Sequence, residues 1–241
     1  MLPLRDNIPT SRRPVVTLSL IAANVLVYFF WQRGGLSLGS PDGAHYICQL
    51  QDYAAIPYEL THPSTQVLIA HGCPSEPTAP AWLTVFTAMF MHGGLLHLGG
   101  NMLFLWIFGN NVEDAMGAVK FLLFYLLAGV AAMVLQTAID PSSQVPTLGA
   151  SGAIAGVLGG YIRLFPGARV VTVIFIVFFF TIVELPALVV LGLWFLQQAL
   201  YAAYDIGGAQ GGVAYFAHIG GFVFGLAAIR AFARRKRVMP R

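Results

Sequence analysis

Ser151 and His218, polar residues set within apolar runs, are of types that could do covalent chemistry together. A serine hydroxyl is a weak nucleophile until a base takes its proton, and a neutral imidazole within hydrogen-bond reach is the usual base. Ser151 stands in Gly149-Ala150-Ser151-Gly152 at the head of an apolar run. A helix starting there would offer its backbone N–H and the positive end of its dipole to an oxyanion forming beside the serine. His97 and Asn101, four residues apart and so on one helix face, can donate further hydrogen bonds to that oxyanion. No acidic residue accompanies His218, since Asp205 falls in an outer loop and Glu184 near the inner face. The expected chemistry is that of a Ser-His dyad, its base oriented by packing and backbone rather than by a carboxylate.

The elements that must position these groups are membrane helices. Of 241 residues, 57% are hydrophobic and 10% charged, and the mean hydropathy is +0.73. Runs such as Phe121 to Leu127 and Val170 to Phe180 exceed what a water-exposed surface tolerates. A span needs about 20 apolar residues, and the runs predict six: Val15 to Trp31, Leu95 to Val112, Ala118 to Ala138, Ser151 to Leu164, Leu185 to Tyr204 and Gly212 to Arg230. The fold expected is all-α, a six-span bundle with a short fourth helix starting at a membrane-embedded site. The first run follows Arg5, Arg12 and Arg13 as a signal peptide would, but no small-residue cleavage site follows it, so it reads as a retained span. Val170 to Val183 reads as interfacial or re-entrant, because two crossings there would reverse the C-terminus.

Six crossings gather Arg5, Arg12, Arg13, Lys120, Arg163, Arg169, Arg230, Arg234 to Arg237 and Arg241 on one side, with only Arg33 opposite. The positive-inside rule places both termini in the cytoplasm, and the expected setting is a bacterial inner or plasma membrane. The net charge of +3 thus speaks to orientation, and no nucleic-acid motif is present. The organisation expected is a cytoplasmic segment 1–14, a first span 15–31, an outer loop region 32–94, a core of spans two to six over 95–232 and a basic tail 233–241. Cys48 and Cys73, the only cysteines, share the outer loop, either as a disulfide or as two free structural thiols. His45, His62 and His71 also lie there, at spacings that match no metal signature.

Depth connects the candidates. From Ser151 to Arg163 a helix rises only about 18 Å, against a hydrocarbon core of about 30 Å, so the serine sits below the outer surface and the chain before it must dip into a water-filled cavity. His218 lies twelve residues before Arg230, as Ser151 lies twelve before Arg163 and Asn101 twelve before Glu113. His97 is one turn further out. Three spans that run in the same direction therefore bring these side chains to one layer.

The glycines around them have a simpler reading. Gly152, Gly156 and Gly160, and likewise Gly221 and Gly225, follow the small-xxx-small spacing that lets helices approach closely, which would carry His218 toward Ser151. His92 reads as a hydrogen-bonded residue anchoring the outer loop. Glu184 reads as an interface carboxylate, and Met89, Met91 and Met102 as packing residues.

Taken together, His92-Gly93-Gly94-Leu95-Leu96-His97 with Asn101, Gly149-Ala150-Ser151-Gly152, and Ala217-His218 followed by Gly221 and Gly225 resemble the rhomboid intramembrane serine proteases, over about residues 82 to 230. The resemblance implies Ser151 as nucleophile, His218 as base, and His97, Asn101 and the Ser151 N–H as the oxyanion site, with Glu113 in a structural role beside Asn111 and Gly117. It implies no metal and no cofactor. As partners it implies the lipid bilayer and single-span membrane proteins, cleaved after they enter past a mobile fifth span. Two features depart from the family pattern: no Trp-Arg pair occurs between Gln32 and Pro80, and Ala155 stands where an aromatic often packs under the catalytic histidine. A non-catalytic rhomboid-like chaperone that binds client helices is the alternative, and it would have no need of the dyad.

Overall fold

In the computed structural model the described residues are 1–36, 38–39, 41, 43–69, 72–73, 79–176, 179–205 and 214–233. The start of the sixth run at Gly212, His71 and the basic tail from Arg234 to Arg241 lie outside them. The chain is mostly helical. Among the described residues three helices are long and apolar enough to cross a membrane: α7 (Ala118–Ile139), α9 (Ala187–Asp205) and α10 (Tyr215–Phe232). A fourth candidate is a bent pair. In it α4 (Ala81–Thr87) and its terminal 3₁₀ turn meet α5 (Leu95–Phe104) at 83°, and α5 continues through a π turn into α6 (Asn110–Met116). The shorter apolar helix α1 (Val15–Leu26) extends through a π turn to Trp31.

The shortest of the core helices is the most enclosed. α8 (Ser151–Leu164) buries every residue from Gly152 to Tyr161, and its first ten positions carry no charged side chain. A helix apolar all round must be wrapped by others, and α8 packs against α7, α10 and the α5–α6 helix. Against α10 the two backbones touch. A Cβ at Gly221 would lie 2.0 Å from the Gly152 carbonyl oxygen, one at Gly225 1.9 Å from that of Gly156, and one at Gly159 2.2 Å from that of Phe222.

The expectation of an all-α chain is corrected by a three-stranded antiparallel sheet. β2 (Arg169–Ile176) and β3 (Phe179–Pro186) form a hairpin from Arg169↔Pro186 to Ile176↔Phe179, and β1 (Leu2–Asp6) pairs with the other edge of β2, Leu2 opposite Val173. The cause lies in Val170, Val171, Thr172, Val173 and Ile174, followed across the hairpin by Thr181, Ile182 and Val183. β-branched side chains lose rotamer freedom on a helix but pack well on a pleated surface. Val170 to Val183 is therefore strand rather than helix over its described residues, and Glu184 is an exposed strand residue opposite Val171.

Glu113 ties the start of the chain to the end of α6. Its buried carboxylate accepts hydrogen bonds from the Val16 and Thr17 N–H groups at 2.9 and 2.8 Å and from the Thr17 hydroxyl at 2.7 Å. Those amides are in the first turn of α1, where no intrahelical partner exists and a negative charge faces the positive dipole end. Asp114 accepts from Ser11 beside it. Asp6 of β1 accepts from the Tyr161 hydroxyl at 2.6 Å and from the Asn111 amide, and burial pushes its carboxyl up from the ordinary range. Glu113→Ala leaves three donors without their acceptor. It is expected to cost about 2–4 kcal/mol, read as a lowered thermal midpoint in detergent, while Glu184→Ala changes nothing measurable.

At the opposite end, α2 (Ala44–Tyr53) and α3 (Pro57–Thr61) form a small cap. Cys48 and Cys73 are joined as a disulfide. Ala55 and Thr147 exchange both backbone hydrogen bonds, and Tyr58 N–H donates to the Ser143 carbonyl. The cap is thus bound to the segment that leads into Ser151.

Candidate active site

Gly149 sets the entry to α8. Its φ of +120° is a conformation that side chains rarely adopt, and a Cβ there would lie 2.8 Å from both Cε1 and Nε2 of His97. Its N–H is held by the Ala88 carbonyl. This turn leaves Ser151 as the first residue of α8, among the N-terminal amides that have no intrahelical partner.

The glycine contact between α8 and α10 brings His218 alongside. Its Nε2 lies 2.7 Å from Ser151 Oγ, and its Nδ1 lies 2.7 Å from Oε1 of Gln198 on α9. The Trp194 ring, one turn before Gln198 on the same face of α9, packs at 5.8 Å from the imidazole. The N-terminus of α10 is fixed in turn by Gln136 of α7, whose side-chain oxygen accepts the Ala217 N–H.

His97 and Asn101 reach the same place from α5. The Gly93 N–H donates to His97 Nδ1 at 3.2 Å, so the neutral ring carries its proton on Nε2, the atom lying over Gly149. Asn101 Nδ2 donates to His92 Nε2 at 2.9 Å, which uses one of its two amide protons and leaves the other available. His92 is fully buried and doubly tied to Gln32, whose side chain accepts from its N–H and donates to its carbonyl. It does anchor the loop, and it also fixes the Asn101 amide. Ser151, His218, His97 and Asn101 line one cavity of about 880 Å³, together with Met133 and Gln136.

The structure therefore gathers all four sequence candidates and adds three residues the sequence reading passed over. Gln198, Trp194 and Gln136 are polar or amphipathic residues within apolar runs, which was the signal available. Gly221 and Gly225 line the helix contact, and Gly152 lines both that contact and the cavity. Among the described residues, no three His, Cys, Asp or Glu side chains converge as a metal would require.

A family model described as the rhomboid domain matches residues 79–235, more than half of the chain. The chain belongs to the rhomboid family. The matched span takes in α4 as well as the helices from α5 onward. Among curated relatives of this rhomboid chain, Rhomboid protein 1, mitochondrial, of Saccharomyces cerevisiae is 31% identical over 150 residues, 60% of this chain and 40% of the yeast protein. Rhomboid protease GluP of Bacillus subtilis is 37% identical over 98 residues, 40% of this chain and 19% of its own. Human presenilin-associated rhomboid-like protein, mitochondrial, is 28% identical over 228 residues, 92% and 48% respectively. The chain spans less than half the length of these relatives. The yeast and human relatives are mitochondrial by name and the third is bacterial; the apolar helices of this rhomboid make it an integral membrane protein.

Proposed function

We propose that this rhomboid is an intramembrane serine endopeptidase that cuts transmembrane segments of single-span membrane proteins. The observation that carries the reading is the 2.7 Å contact between Ser151 Oγ and His218 Nε2, made inside a bundle of apolar helices and beside a cavity large enough for a peptide backbone and water. A serine and an imidazole facing each other between membrane helices are costly unless they serve a function.

In the proposed reaction Ser151 Oγ attacks the scissile carbonyl while its proton passes to His218 Nε2. The carbonyl oxygen becomes an oxyanion, met by His97 Nε2–H, the second Asn101 Nδ2 proton and the Ser151 N–H. His218 then gives its proton to the departing amine, leaving an acyl-enzyme on Ser151. A water, deprotonated by the same Nε2, attacks that ester, and the acid product leaves with the serine reprotonated. No step needs a cofactor.

A six-span arrangement with both termini cytoplasmic goes with this reading. β1, Glu113, Arg163 and Arg169 gather at one end of the bundle, whereas the disulfide-bearing cap lies at the other. The test is reconstitution of the chain in liposomes with a single-span reporter. Cleavage within or at the edge of the reporter's membrane segment, blocked by a fluorophosphonate that labels Ser151, is expected. Reporter binding with neither cleavage nor labelling would replace this reading with the chaperone one.

A further inference from the structure

We propose that Gln198 of α9 is the positioning residue for the His218 base: its side-chain oxygen accepts the Nδ1–H and so holds the imidazole in the tautomer whose Nε2 is free to take the Ser151 proton. The inference rests on the proteolytic reading above and supplies what the dyad lacks, a group that orients the histidine.

A neutral imidazole carries one ring proton. If it sat on Nε2, the ring would donate to Ser151 Oγ and could not act as base. Its bare Nδ1 would then face the Gln198 oxygen at 2.7 Å with two lone pairs opposed. With the proton on Nδ1, both short contacts become hydrogen bonds of the right polarity. The Gln198 carbonyl accepts from Nδ1, and Nε2 accepts from the serine. As the serine proton moves to Nε2, the imidazolium keeps its Nδ1–H on an oxygen that already carries the negative end of the amide dipole, and Gln198 itself neither gains nor loses a proton. A side-chain amide fills the same place in Cys-His-Asn hydrolases.

The surroundings make the bond count. Gln198 is 7% exposed and sits among apolar side chains of α9 and α10, where a hydrogen bond is little weakened by water and a lost one is costly. Trp194 closes one side of the ring at 5.8 Å, in place of the aromatic absent at Ala155, and restrains its rotation. Neighbouring Gln197 is directed away, its amide reaching Tyr201 instead. No other side chain approaches Nδ1 within hydrogen-bond distance among the described residues.

The amide's orientation is what the experiment decides. Gln198→Met keeps length and volume but removes the acceptor, while Gln198→Glu keeps an oxygen at the same reach. Cleavage of the liposome reporter is followed at varied reporter density, with the thermal midpoint of each variant measured alongside. The methionine variant is expected to lose about 10- to 100-fold in kcat with KM within about twofold and a midpoint close to wild type, and the glutamate variant to recover most of that loss. An unchanged or faster Gln198→Met overturns the inference, because an amide donating to Nδ1 would hold the wrong tautomer and its removal would relieve the enzyme. Equal losses in both variants, matched by equal losses of thermal stability, overturn it too. A wild type that cleaves nothing overturns the proteolytic reading as well, whereas a cleaving wild type matched by Gln198→Met removes only the role of Gln198.

Discussion

Ser151→Ala and His218→Ala are each expected to lower reporter cleavage by at least about 10³-fold, and the double variant to be no worse than either alone. Hydroxyl and imidazole meet at 2.7 Å and in the proposed reaction share one proton transfer, so removing either partner would end the same step. A loss of that size is about 4 kcal/mol of transition-state stabilisation. It should come without unfolding. Both side chains are only partly buried, and neither takes part in the glycine contact that holds α8 to α10. Near-wild-type thermal midpoints should therefore accompany the inactive variants. Reporter still cut at the wild-type rate by Ser151→Ala would mean that the hydroxyl is not the nucleophile, whatever its neighbours.

The sequence made this pair visible because membrane helices turn residue number into depth. Counting twelve residues back from Arg163 and from Arg230 gave Ser151 and His218 a common height, and a rise of 1.5 Å per residue does the rest. The same count could not show which way a side chain faces around its helix. Gln197 and Gln198 are adjacent, and only the packing of α9 against α10 distinguishes the one bonded to His218 from the one turned toward Tyr201. Trp194 escaped notice for the same reason.

The fold divides along a similar line. α7 and α8 begin where turn residues end the preceding segment, at Gly117 and Gly149, and local chemistry marks both starts. The hairpin was the opposite case. A continuous apolar run such as Val170 to Phe180 has neither the period of a helix nor that of a half-buried strand, and in a chain this apolar it passes for membrane. Its β-branched composition was the readable clue. The pairing of β2 with β1 joins residues far apart in the chain, and no local pattern in Leu2 to Asp6, with Pro3 among five residues, announces it. His92 shows how a residue can have two partners of different meaning. Its backbone anchors the loop through Gln32, as its burial and neighbours would suggest, while its ring reaches nine residues along the chain to Asn101.

Gly225→Ala should do to the whole bundle what Ser151→Ala does to one step. The added Cβ would lie 1.9 Å from the Gly156 carbonyl oxygen and 2.6 Å from its carbon, and both are backbone atoms that cannot rotate away. An ordinary contact needs roughly 1.5 Å more, which the helices can supply only by separating. Overpacking of this kind is expected to cost about 3 kcal/mol, or about 10 °C in thermal midpoint for a chain of this size. Activity should fall further than the folded fraction does, because α10 carries His218 two turns above Gly225 and α8 carries Ser151 just over one turn above Gly156. A shift of 1 Å between those helices stretches the 2.7 Å Ser151–His218 contact beyond hydrogen-bond range. Gly192→Ala is the matched control: its Cβ would meet nothing within 4 Å, so the better helix former should leave the protein equally or slightly more stable and fully active. If Gly225→Ala melts and cleaves like Gly192→Ala, the close approach of α8 and α10 is not what sets the dyad, and the distance between its two residues must be held by α9 or by the cap.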